Sequence, residues 1–157
     1  MININRFLCI LFLLFSSFNC ANASSKCGNV DIEGENADKM LSVLDESWTG
    51  VYNYYNKYSK HNCYSEGYYG EAISDSITQR FSKHWDEIDQ LTKITSKDRK
   101  FEKFVLTGIN STVEEEDLLK IHELATKQCP TGFSELCKKI DNRSIKARKE
   151  MLENYSS

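Results

Sequence analysis

Three histidines, six cysteines and a short acidic run are the residues of this 157-residue chain whose types could do chemistry. His84 and His122 both fall at the spacing of apolar helix faces, and His61 stands next but one to Cys63. A buried imidazole works as a general acid or base only within hydrogen-bond reach of its partner, so Glu66, Glu71 and Glu123 are the carboxylates to consider. No nucleophile elbow, phosphate loop or metal-ligand spacing accompanies them. His84 and His122 are therefore read as hydrogen-bonded core residues rather than as catalytic groups of an enzyme. The acids Glu114 to Asp117 are read as a solvated helix start facing the positive end of the helix dipole, not as a metal site. Neither metal nor cofactor is expected.

The cysteines point to a compartment. Residues 1–23 carry one cation, Arg6, then an apolar run from Phe7 to Phe15 and an Ala21-Asn22-Ala23 end, the layout of a secretory signal cleaved after Ala23. A membrane span needs about 20 apolar residues, so no stable insertion is expected once the signal is gone. Lipidation of Cys20 is the weaker alternative. The remaining chain, residues 24–157, keeps Cys27, Cys63, Cys129 and Cys137, an even number that suggests two disulfides in an exported domain. Cys129 and Cys137 flank a Pro130 and Gly132 corner and are expected to pair. Cys27, in a polar tail, is then left to tie that tail to Cys63. The net charge is −3 and no basic run stands out, which argues against a nucleic-acid partner.

What must position these groups is helical. The chain has one proline, and its apolar residues repeat at spacings of three and four. Leu41, Leu44, Trp48, Val51, Tyr55 and Tyr58 make one stripe. Gly70, Ile73, Ile77, Phe81, His84, Ile88 and Leu91 make a second, ending near Thr95, with Gly70 suited to a close helix approach. Ser96 is expected to cap a third helix, and Thr112 with Glu115 to form a capping box for a fourth. A fifth begins near Thr131 and ends in a charged tail expected to fray. The prediction is a single all-α domain, a bundle of about five helices stapled by two disulfides.

The stretch Val51 to Tyr69 holds seven of the eight tyrosines. Turning 100° per residue places Tyr55 and Tyr58 on the core stripe, with Tyr52 and Tyr54 at its edges. Tyr68 points away from Ile77 and Phe81, and Tyr64 lies near it. Tyr64, Glu66 and Tyr68 are thus the candidate contacts for a protein partner, because exposed aromatics add rigid contact area with a polar tip; the alternative is that His61 to Gly67 is a loop folded back over the bundle with its tyrosines half buried.

Within CYSEGYYGEAISD, Cys63 followed by Gly67-Tyr68-Tyr69-Gly70 and Asp75 resembles the Cys, Gly-Tyr-aliphatic-x-Gly, Asp helix of the Rap/Tai group. These small exported immunity proteins guard bacteria against toxins delivered by type VI secretion. The resemblance implies a periplasmic protein that neutralises a cognate toxin. The alternative is a carrier of a small apolar ligand, with a cavity lined by Trp48, Phe81, Phe104 and Phe133.

Overall fold

A computed structural model describes residue 39 and residues 42–44, 46–61 and 67–156, with only the backbone at 61 and 67. The expected signal at 1–23, the tail with Cys27, and Cys63, Tyr64 and Glu66 lie outside the described residues. Every regular element among the described residues is helical. Residues 42–44 and 46 are helical, followed by α1 (Trp48–Lys57), α2 (Gly67–Lys83), α3 (Ile88–Thr95), α4 (Arg99–Gly108), α5 (Glu115–Lys127) and α6 (Ser134–Tyr155). Single 3-10 turns, Ser59–His61 and Trp85–Glu87, follow α1 and precede α3.

Two of the five expected helices are each broken once. The first breaks at Ser47, whose extended backbone (φ −173°) starts α1 and whose hydroxyl accepts from the Gly50 amide. Burial continues across the break, through Leu44, Trp48, Val51, Tyr55 and Tyr58. The second breaks at His84, and there the core position falls to Trp85 instead. The Trp85 indole donates to the Gln128 carbonyl at 2.9 Å, while buried Arg80 pairs with Glu87 across the turn. His84 consequently projects outward with half its side chain in solvent, not onto an apolar face.

Caps differ from expectation in the same local way. Asp98, not Ser96, caps α4, its carboxylate accepting from the amides of Lys100 and Phe101. The Ser96 hydroxyl instead donates to the Lys93 carbonyl. Thr112 is held by the Asn110 side chain rather than capping α5, although Glu115, Glu116 and Asp117 do occupy that helix's first turn. The charged tail of α6 stays helical to Tyr155, with i,i+4 ion pairs Lys146–Glu150 and Lys149–Glu153 along it.

Tyr54, Tyr55 and Tyr58 are buried, and Tyr52 and Tyr55 meet Phe101 at ring centroids of 4.8 and 5.3 Å. Trp48 packs on Phe81 at 4.8 Å. A close helix approach is found at Gly108, where an added Cβ would lie 2.6 Å from Ile77 Cδ1. Between α4 and α6, Glu102 accepts from both Arg99 and Lys139. Burial pushes the Glu102 carboxyl up, but those two bonds outweigh it and hold the group below its ordinary value.

The most extensive pairing is α5 against α6, antiparallel across a short corner where Gly132 takes φ +91°. Cys129 and Cys137 are disulfide-bonded here, with Cα atoms 6.0 Å apart, as the sequence predicts. With a separation of eight residues, reduction is expected to cost about 2–3 kcal/mol. Denaturant titration of the protein with and without reductant measures it, and a loss below about 0.5 kcal/mol would show the corner to be held by packing alone.

Candidate functional site

Of the predicted contact residues the structure describes Tyr68, which is 66% exposed and stacks edge-on against Tyr69 at 5.5 Å. One and two turns further along α2 stand Glu71 and Asp75, close to Glu114 and Asp117 at the start of α5. Partial burial and then Glu114, Asp117 and Glu71 raise the Asp75 carboxyl above its ordinary value. A raised carboxyl contributes stability that is full below the ordinary value of about 3.9 and lost as pH rises through the folded value. Asp75→Asn is therefore expected to stabilise the protein at pH 7 by about 0.5 kcal/mol, the scale of one like-charge i,i+4 pair. Thermal melts across pH check this. The gain should fade below the ordinary carboxylate range, and an unchanged or lowered midpoint at pH 7 would contradict the repulsion.

A larger surface feature lies between α5 and α6. Helix α6 runs past the start of α5, so the seam between them opens into a groove of about 690 Å³. Leu118 and Ser144 are buried at its lining, while Leu119 (44%), Ile145 (50%) and Leu152 (45%) stand exposed along it. Polar groups rim it: Arg148 donates to Glu115 at 2.8 Å, and Lys149 lies near Glu153. Contiguous apolar side chains inside a polar rim are the usual form of an interaction site.

His122 also lines this groove, and its partner is a carboxylate that spacing along the sequence does not single out. Its Nδ1 lies 2.6 Å from Asp141 Oδ1 on α6. A carboxylate only accepts, so Nδ1–H is the donor and Nε2 is the ring's remaining polar atom. Glu71 is on α2, Glu123 is paired with Lys120 and Lys127, and Glu66 lies outside the described residues. The Ser144 hydroxyl donates to the Asp141 carbonyl at 2.8 Å and is committed to its own helix. The site offers apolar contact, one imidazole and paired charges.

No protein-family model matches the sequence, and neither a curated protein nor a solved structure is significantly similar to it.

The residues expected to line a carrier cavity are dispersed. Trp48 and Phe81 are packed on each other, Phe104 joins Tyr55 and Phe101, and Phe133 sits at the start of α6. No helix among the described residues is long and apolar enough to cross a membrane, and no cluster of metal-ligating side chains occurs among them.

Proposed function

We propose that the protein acts by binding another protein, and that it is an exported inhibitor whose partner is a toxin neutralised in the periplasm. The observation that carries the binding reading is the α5/α6 groove, with Leu119, Ile145 and Leu152 exposed inside a rim of paired charges. Leaving three large aliphatic side chains half exposed along one seam of a small domain forgoes roughly half of the about 1.5–3 kcal/mol that full burial of each would give. A partner that covers them recovers it. The toxin and the periplasm are the reading implied by the resemblance at Cys63 to Asp75, together with the signal-like residues 1–23 and paired cysteines.

The exposed Tyr68 edge, carrying Glu71 and Asp75, is a second contact region for the same partner. The carrier reading has less support, since its four aromatics are divided among separate clusters. Native mass spectrometry of the protein purified from its own host separates the two. The inhibitor reading requires a protein in stoichiometric complex, absent from an Ile145→Asp variant that still folds. A lipid-sized mass bound to both forms would replace it with the carrier.

A further inference from the structure

The fold gathers cations that the sequence scatters. Arg99 and Lys103 on α4, with Lys139 and Arg143 on α6, line a shallow cleft of about 510 Å³. Glu102 in its wall is shared by Arg99 and Lys139, and Arg143 Nε donates to the Leu106 carbonyl at 3.2 Å. Lys103 makes no ion pair with any described residue. Together α4 and α6 carry nine cations and five acids, in a chain whose net charge is −3.

This cleft and the apolar groove are two sides of one helix. At 100° per residue, Lys139 and Arg143 face α4, whereas Ile145, Arg148 and Leu152 lie on the α5 side. The exposed crest between them carries Lys138, Asn142, Lys146 and Lys149, with Glu135 and Glu153 among them. A partner seated in the groove therefore meets more cations than acids along its outer flank, counting the four cations and one acid of the cleft beyond it.

We propose that the partner docks through an acidic amphipathic helix, with apolar side chains in the α5/α6 groove and carboxylates over the α6 crest and the Lys103–Arg143 cleft. This rests on the groove being a protein-binding site and names the chemistry of what fills it. Ile145 and Leu152 are one heptad apart, the spacing at which a helix laid in a groove presents its i and i+7 anchors. Discrete carboxylates suit a surface where Glu102, Glu135 and Glu150 alternate with the cations. A row of phosphates would meet those acids, and apart from the half-exposed His122 the exposed side chains of the groove are aliphatic, so it offers no run of rings on which successive bases could stack.

The test is selection from a displayed library of random peptides about 16 residues long, roughly four helical turns, against the whole protein. Selected peptides should be enriched in Asp and Glu and carry apolar residues at i, i+3 or i+4, and i+7. A synthetic copy should bind at least about tenfold more weakly to a Lys103→Glu, Lys146→Glu double variant and in high salt, but normally to Lys83→Glu. Peptides with the apolar spacing but no acidic excess, insensitive to the double variant, would overturn the acidic partner and leave the groove reading standing. Peptides that bind Ile145→Asp as well as the native protein would overturn both. A single-stranded oligonucleotide binding more tightly than the best peptide would give the cleft to nucleic acid and likewise overturn the proposal.

Discussion

Phe101→Ala is expected to destabilise the protein by about 4 kcal/mol, the largest effect of any single substitution considered. Phe101 is fully buried at the first turn of α4, and its ring touches Tyr52, Tyr55 and Phe104 at centroid distances of 4.8 to 6.2 Å. Removing it leaves a cavity whose neighbours are large rings from two helices, and such rings relax poorly into the space. Urea unfolding followed by far-UV circular dichroism measures the loss. A change below about 1 kcal/mol would mean that the tyrosines of α1 are not held by this cluster.

Gly50→Ala is expected to cost about 3 kcal/mol, against the normal trend for helices. Within a helix, alanine is favoured over glycine by about 1 kcal/mol. Here an added Cβ would lie 2.0 Å from the Val43 carbonyl oxygen, a backbone atom that no side-chain rotation can move aside. Overpacking of this kind forces a helix shift, and the shift would also strain the Ser47 cap, which bonds the Gly50 amide itself. The measurement is the thermal midpoint, expected to fall by roughly 10 °C. A rise would show that Val43 and Gly50 are not packed against each other.

The spacing of apolar residues was sufficient to place helices, because Leu44 to Tyr58 and Ile73 to Leu91 keep a buried residue every three or four positions. It did not reveal the breaks at Ser47 and His84. Burial resumes in phase after the first, and the second depends on Trp85 reaching Gln128 and Arg80 reaching Glu87. The Cys129–Cys137 bond was legible since Pro130 and Gly132 mark the corner locally. The Cys27–Cys63 pairing lies outside the described residues.

The site was less legible than the fold. Tyr68 is exposed as its helical phase requires, but Leu119, Ile145 and Leu152 are exposed positions beside the buried stripes of their helices, in charged segments. Only the antiparallel docking of α5 on α6 makes them neighbours. His122 finds its carboxylate nineteen residues away for the same reason, and the cations of the α4/α6 cleft stand about forty residues apart in the chain. Properties set by tertiary pairing leave no periodic mark on the sequence.

Binding of a protein partner in the α5/α6 groove is measured by the affinity of that partner for a Leu119→Asp, Ile145→Asp variant. Both side chains are half exposed, so the fold should keep its melting temperature within a few degrees. A loss of at least about thirtyfold is expected, equivalent to roughly 2 kcal/mol and typical of a central contact. Unchanged affinity in a variant that melts like the native protein would contradict it, and would move the binding site away from this groove.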